Sequence, residues 1–496
     1  MGEQMQVYTR KRECYGCAKC KQTCPVNAIT MVRDAEGFVY PIIDEKRCIK
    51  CHKCIDTCIN NMADEKKVEI TSAVACSALN QEILKRSTSG GIFYLLACAV
   101  LEEDGAVYGA SYVEGKVEHV RVEKIEDLHR MQGTKYVQST IEKILPELEK
   151  DIQQNRKVLF AGTPCQVAAV RSLHENEKDN LLLVELFCMG VPAPQVWEDY
   201  IAEKESEWGH IINLNYRDKR TGWMSSSIVY RLENDENIMA HNEDIFMSGF
   251  SQALYMRPSC HDCRFKGANT KGDLKIGDFW GAPNFNYNYE ENTGVSIVLE
   301  ETENGKHWLS KISSKIQKEV VPYSFVLVYN PYEKLSRQPS KKRKDFFENY
   351  KEYAGKISDL IEDYLEPRYT SEQRKACHYP VVEGLLKLKN SGESSEKLLL
   401  EKGWKRIAIY GLGILGKFLI EDLKGSSIEI ECVLDKNRSK LPEKYEGIDV
   451  IGPHEICERE YDGIVVSVPQ NYNTILEILY AQDVDLNKVI SITSFF

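Results

Sequence analysis

At 496 residues the chain should fold as about three domains, and its 43% hydrophobic and 28% charged content suits globular units with real cores. A formal net charge of −11 argues against nucleic acid or an anionic membrane as the main partner. No membrane span is expected, since the longest apolar run, Gly91 to Leu101, falls short of about 18 residues and meets Glu102, Glu103 and Asp104 at once. The N-terminal MGEQMQVYTRKREC has no apolar signal core, which points to the cytoplasm.

A reducing compartment does not maintain disulfides, so 17 cysteines call for another use, and metal ligation is the natural one. Cys14, Cys17, Cys20 and Cys24, followed by Pro25, form the C-x2-C-x2-C-x3-C-P run of bacterial ferredoxins. Cys48, Cys51, Cys54 and Cys58 repeat the spacing, with Ile59 in place of the proline. Two-residue gaps bring three thiolates onto one cubane, and the fourth cysteine of each run faces the other cluster. The expected sets are Cys14, Cys17, Cys20 and Cys58 for one [4Fe-4S] cluster, and Cys48, Cys51, Cys54 and Cys24 for the other. A pair of zinc knuckles is the competing reading, but zinc sites usually use two distant cysteine pairs rather than two dense runs. Between the runs, Ala28–Val32 and Phe38–Ile42 flank Asp34–Gly37 as a β-hairpin. Residues 60–72 are polar and read as a linker.

From there to about residue 365, strand-like runs alternate with helical stretches, which suggests an α/β domain. Residues 157–162 and 181–188 read as buried strands. Four motifs stand out: Thr88, Ser89, Gly90 and Gly91 before an apolar helix; Gly133, Thr134, Lys135 and Tyr136; GTPCQ with Cys165 at a strand end; and PSCHDC leading into GDLKIGDFWG. Small residues before a helix can cradle a phosphate or only make a tight turn. The C-x-x-C can be a redox pair or half a metal site. A basic run, Lys341 to Lys344 beside Phe346 and Phe347, could be a docking patch but reads rather as a solvated helix face, in a charged and mostly helical stretch.

The joint set STSGGIF, GTKY, GTPCQ, the cysteine at 188, PSCHDC and GDLKIGDFWG resembles the coenzyme F-420 hydrogenase/dehydrogenase beta-subunit family, whose relatives include hydroxymethyl-chlorophyll reductases. The resemblance covers roughly residues 66–365. It implies FAD and a third [4Fe-4S] cluster beside it, with Cys165, Cys188, Cys260 and Cys263 as ligands. Four cysteines from separated loops are the right number to close a cubane; a nucleophilic Cys165 and a simply buried Cys188 are the alternatives. The implied flavin site draws on Thr88, Ser89, Gly90 and Gly91, with Gly133, Thr134, Lys135 and Tyr136 opposite. Cys76, Cys98, Cys377, Cys432 and Cys457 have no partners at ligand spacing.

At the C-terminus, Arg406–Tyr410 reads as a strand, then Gly411, Gly413 and Gly416 form G-x-G-x-x-G before a helix, and Asp435 ends the next strand. A further strand follows at 463–468. That context is the dinucleotide fingerprint, in a segment short for a full domain. It resembles small Rossmann-like appendages of sugar-modifying and surface-polysaccharide proteins. Binding of NAD or a nucleotide-sugar, and a structural or docking role, both stay open.

The expected whole is an α/β multidomain chain. A small α+β ferredoxin-like module spans 1–65, a central α/β flavin and iron–sulfur domain 66–365, a helical linker 366–403, and a Rossmann-like half-domain 404–496. The expected activity is an FAD- and [4Fe-4S]-dependent oxidoreductase. It would link ferredoxin or another redox protein to a small two-electron substrate, either a deazaflavin or a metabolite of carbohydrate or surface-polysaccharide metabolism. No residue is singled out as catalytic. A non-catalytic electron-transfer subunit of a larger complex is the alternative.

Overall fold

The computed structural model describes residues 6–62, 70–174, 180–285, 293–366, 378–390 and 394–495. They divide into two units, one made of 1–279, 288–320 and 336–366, the other of 280–287, 321–335 and 367–496.

In the first unit the two cysteine runs flank the expected hairpin. Ile29–Arg33 pairs antiparallel with Val39–Ile43, and Asp34 closes the turn by accepting from the amides of Glu36 and Phe38. Gly37 sits at φ +83°, and a Cβ there would stand 2.4 Å from Gln195, so the turn requires glycine.

An eight-stranded mixed sheet forms the centre of this unit. Ala106–Val113, Val158–Gly162, Leu181–Leu186 and Leu274–Asp278 run parallel, and Lys116–Val122, Ser296–Glu300 and Ser72–Ala78 pair antiparallel beyond them. Parallel strands covered on both faces are continuously apolar, which is why VLFAG and LLLV stand out in the sequence. Leu159, Leu182 and Val184 enter one core with the helix Ile92–Leu101. Phe160, Leu181 and Leu183 enter the other with the helices Leu145–Gln153 and Pro164–Arg171.

The ferredoxin module is packed into this unit. Tyr15 and Ile59 join the second of those cores. Phe38 and Tyr40 join an aromatic core with Trp197, Tyr200, Phe246 and Tyr255. Burying two such rings contributes about 4 kcal/mol. Arg343 departs from the expected solvated face, since it donates to Glu36 at 2.6 Å and lies over the Phe347 ring, with Phe346 and Phe347 buried.

In the second unit, five parallel strands and one short antiparallel one form a sheet. Its order is Lys444–Tyr445, Ile448–Ile451, Glu429–Leu434, Arg406–Tyr410, Gly463–Val466 and Val489–Ser491. Counted along the chain, the parallel strands lie in the order 3-2-1-4-5, a Rossmann-type winding. The helices His378–Asn390 and Ser395–Glu401 place Val381, Leu385 and Leu399 in this core. The helix Tyr323–Tyr329 also belongs to this unit, where the Ser324 carbonyl accepts from Gln482 at 3.0 Å and Phe325 stacks edge-on to His454 at 5.0 Å.

Candidate iron–sulfur and flavin centres

Each cysteine run bends through two left-handed residues at equivalent places. These are Gly16 and Ala18 after Cys14, and Lys50 and His52 after Cys48, with φ between +54° and +68°. Such turns aim successive N–H groups inward and make an anion-binding concavity. The short helices Lys19–Gln22 and Lys53–Asp56 then carry Cys20 and Cys54. Thr23 and Thr57, one in each half, meet through their hydroxyls at 3.2 Å. Amides already face sulfur, Ala28 N to Cys24 Sγ at 3.2 Å and Lys50 N to Cys48 Sγ at 3.4 Å.

The fold sorts the eight cysteines into two rings. Cys24, Cys48, Cys51 and Cys54 surround one opening, with Ile29, Ile43 and Ile49. Cys14, Cys17, Cys20 and Cys58 surround another, with Val7, Met31 and Ile59. Among the described residues no three His, Cys, Asp or Glu side chains converge tightly enough to hold a single metal ion. A cubane is broader than one ion, and its four thiolates stand around it. Cys51 is exposed, which makes its ring the outer one.

A further four thiols gather where strands end. Cys165 opens the helix after Val158–Gly162, Cys188 follows Leu181–Leu186, and Cys260 and Cys263 lie in the loop after residue 257. Burial pushes Cys165 well above the ordinary thiol range, and the nearness of Cys263, Cys188 and Cys260 adds to this. Burial likewise takes Cys260 up to about 12, helped by Cys188 and Cys263. Each thiol therefore sits within electrostatic reach of its fellows, and ligation would release protons that the apo site holds tightly. Thr163 Oγ1 lies 3.3 Å from Cys165 Sγ, and Gly190, at φ +136°, leaves room beside the Cys260 Cβ.

Tyr15, between Cys14 and Cys17, joins the two regions. Its ring meets Phe265 edge-on at 5.1 Å and its hydroxyl accepts from Arg264 N at 3.3 Å, beside Cys263. Sequence reading missed Tyr15, because nothing local marks a tyrosine as a bridge between distant loops.

The two motifs expected at the flavin meet each other. Thr134 N donates to Thr88 Oγ1 at 2.8 Å. Ser89 donates to Val295 O at 2.6 Å, and Gly90 N to Ser296 Oγ at 2.9 Å. A Cβ on Gly90 would lie 2.3 Å from Cys76 O, so backbone packing alone demands glycine there. Gly91, at φ +81°, caps the helix Ile92–Leu101. Gly133 is also left-handed, at φ +81°, with no close neighbour but Asn215. Lys135 is drawn down to about 7 by burial, and Lys219 falls to about 7 for the same reason, though Asp278 opposes it. Arg217 lies beside Tyr136 and Asp278, and Trp223 donates to Asp278 at 2.9 Å. Arg217 and Lys219 lie about the single acid Asp278, and an excess of positive charge there suits an anionic, aromatic ligand such as a flavin dinucleotide. Lys219, Arg217 and Trp223 were absent from the sequence reading; Asp278 lay within GDLKIGDFWG without an assigned role.

In the second unit Asp435 accepts from Leu412 N at 3.0 Å and from Asn437 N at 2.9 Å. Gly411 is at φ +103°, and a Cβ on Gly416 would lie 1.9 Å from Gly411 O. Gly413 has open space around its Cα. Ser467 donates to Tyr410 O and Gly411 O across the switch point, and Tyr329 donates to Lys436 O. Cys76, Cys98 and Cys432 are buried, Cys457 is exposed, and Cys377 lies outside the described residues.

Two cysteine rings of this kind define an iron–sulfur electron-transfer protein. Residues 13–62 match the 4Fe-4S dicluster domain, and residues 155–324 match the family described as the C terminus of the coenzyme F420 hydrogenase/dehydrogenase beta subunit. Residues 155–324 are thus similar to that beta-subunit family, and the dicluster match lies ahead of them in the chain. Residues 403–490 match the family described as C2185-like, N-terminal. The chain is 22% identical over 324 residues to one subunit of the F(420)H(2) dehydrogenase of Methanosarcina mazei, covering 61% of this chain and 83% of the relative. It also aligns, at 20% identity, with a chain of the F420-reducing [NiFe] hydrogenase complex from Methanosarcina barkeri. That match covers 61% of this chain and 95% of the other at a TM-score of 0.37. No described helix is long and apolar enough to cross a membrane.

Proposed function

We propose that the chain is an iron–sulfur flavoprotein oxidoreductase, with two [4Fe-4S] clusters in the ferredoxin module, a third at Cys165, Cys188, Cys260 and Cys263, and FAD at the Thr88–Gly91 and Gly133–Tyr136 motifs. One stretch of chain carries the reading. In residues 133–139, Thr134 bonds Thr88, Gln138 bonds Tyr15 O at 3.1 Å, and Ser139 accepts from Gln166, next to Cys165, at 2.9 Å. A single segment thus touches the flavin motif, the inner cysteine loop and the inner end of the ferredoxin module. FAD supplies a junction between two-electron and one-electron chemistry. Lys135 and Arg217 would hold its phosphates, Lys219 would brace the Ser89 loop through the Ser89 carbonyl, and Gln166 would fix the Cys165 loop through Ser139.

Electrons would enter or leave through the exposed Cys51, where a ferredoxin or similar carrier can approach. Exposed Lys46, Arg47, Lys50 and Lys53 lie near it in the chain, interspersed with exposed Asp44, Glu45 and Asp56, so the approach surface is mixed in charge. The small two-electron substrate at FAD would be a deazaflavin or a metabolite of carbohydrate or surface-polysaccharide metabolism. In the second unit both Asp435 oxygens are already engaged by amides. Each oxygen keeps a second lone pair, enough for a ribose hydroxyl, so NAD or nucleotide-sugar binding stands beside a structural or docking role. An electron-transfer subunit of a larger complex is the second reading, favoured by the relative's description as part of a dehydrogenase.

An anaerobic count should give about twelve irons and one flavin per chain. About eight irons would refute the inner cluster, and no flavin would refute the FAD site. Turnover of a two-electron acceptor by the isolated chain with reduced viologen separates enzyme from subunit.

A further inference from the structure

One buried charge in the first unit has no protein counter-charge among the described residues. Arg257 is 1% exposed. Its Nε donates to Cys14 O at 2.9 Å, Nη1 to Gln138 Oε1 at 3.2 Å and Nη2 to Val39 O at 2.9 Å, while Nη2 stands 3.8 Å from Cys14 Sγ. The guanidinium lies against the rings of Tyr40 and Phe38, at 4.6 and 5.3 Å. Among the described residues no carboxylate pairs with it, whereas Arg121, Arg171 and Arg343 each hold one. A guanidinium does not shed its proton in a protein, and an unpaired buried cation is strongly unfavourable. Every hydrogen-bond acceptor around it is neutral except the Cys14 sulfur, which becomes anionic on ligation; the Cys260 sulfur lies within electrostatic reach but accepts no hydrogen bond from it.

The neighbouring backbone is arranged to admit this cation. A Cβ on Gly16 would come within 2.9–3.1 Å of the guanidinium, and Gly16 is left-handed at φ +68°. Three residues on lies Cys260, whose amide donates to Arg257 O at 2.9 Å, so Arg257 stands between the Cys14 ring and the inner cysteines. The outer ring has cations too, but Lys50 and Lys53 are exposed, where water and salt weaken them.

We propose that Arg257 is the built-in counter-ion of the cluster at Cys14, Cys17, Cys20 and Cys58, and that its charge makes this the easier of the two ferredoxin-type clusters to reduce. The inference rests on the cluster assignment above and adds to it the residue that sets the sense of the relay. Reduction adds negative charge, and a buried cation favours the reduced form more than the oxidised one. The step it biases is a one-electron exchange. The outer site, filled by a low-potential one-electron carrier, is oxidised by one electron as the Cys14 site is reduced by one, and no bond is made or broken. The pull is inward, toward Tyr15 and the Cys165 loop.

The test is a redox titration of the anaerobically purified full chain, with dithionite and mediators, followed by electron paramagnetic resonance. In Arg257→Gln one ferredoxin-type midpoint should fall clearly, the inner cluster should move less, and the outer cluster should stay put. Arg257→Lys should keep the wild-type order. Unchanged midpoints in Arg257→Gln overturn the inference while leaving the cluster assignment intact. If the glutamine variant loses iron, the lysine variant decides, because a midpoint as low as a neutral side chain would give excludes a role for charge. A wild-type chain without two ferredoxin-type signals overturns the assignment and this inference together.

Discussion

Lys135 offers the sharpest test of the flavin reading. Burial draws its ammonium down to about 7. Nζ donates to Gln132 O at 2.9 Å and Arg130 O at 3.3 Å, and no carboxylate among the described residues pairs with it. The third donor of the ammonium is available to a phosphate oxygen. Because the folded value lies below the unfolded one of about 10.4, the unfolded chain binds more protons between about 7 and 10. Stability of the empty site therefore rises with pH across that window, and below it the charged lysine is carried at full cost. A bound pyrophosphate supplies the missing counter-charge, so binding above pH 7 takes up a proton and weakens as pH rises. About nine-tenths of the lysine is charged at pH 6 and about a tenth at pH 8, so the Kd for FAD should weaken roughly tenfold, ~1.4 kcal/mol, between them. Quenching of flavin fluorescence, as FAD is titrated into flavin-depleted chain with its clusters intact, measures this. Lys135→Met should weaken binding at pH 6 by about tenfold and flatten the profile. Lys135→Arg should hold wild-type affinity to pH 8. If Lys135→Met binds FAD with unchanged affinity and unchanged pH dependence, the lysine does not face the phosphates.

Cys260→Ala should remove about four irons by chemical assay and spare the two ferredoxin-type signals; loss of all iron would mean that the modules fold as one. Asp244, fully buried, accepts from Tyr230 at 2.5 Å, Met247 N at 2.8 Å and Tyr200 at 2.9 Å. Asp244→Ala should cost about 4 kcal/mol in urea unfolding by stranding these donors, and a loss below about 1 kcal/mol would contradict the network. In the second unit Gly416→Ala should destabilise strongly in thermal unfolding, since its Cβ would lie 1.9 Å from Gly411 O, while Gly413→Ala meets no atom within 4 Å and should be neutral. NADH binding to the wild-type chain that Gly413→Ala abolishes would favour the nucleotide reading of that unit.

Much of the fold was legible because it is local. The buried parallel strands announce themselves as VLFAG and LLLV, and the hairpin as two apolar runs about Asp34–Gly37. The helix after Gly91 begins at Ile92, as the glycine pair suggested. The linker reading of residues 366–403 was less complete, because Val381, Leu385 and Leu399 are buried against strands that lie later in the chain. Arg343 shows the same gap. In sequence it belongs to a charge run, and only its neighbours in space, Glu36 and the Phe347 ring, take it out of water.

The sequence by itself determined the doubled cysteine runs, since cluster ligation depends on spacings of two and three residues that the backbone cannot rearrange. It also marked Cys165, Cys188, Cys260 and Cys263, though only through a resemblance. Tertiary structure alone decided that those thiols lie within reach of one another, that Tyr15 stands beside them, and that Arg257 reaches Cys14 across 243 positions of chain. It alone decided as well that Asp435 spends both oxygens on amides. The reason is the same throughout. Spacing fixes what neighbours in the chain can ligate, whereas the environment of a charge is set by burial, and burial follows from which distant segments pack together.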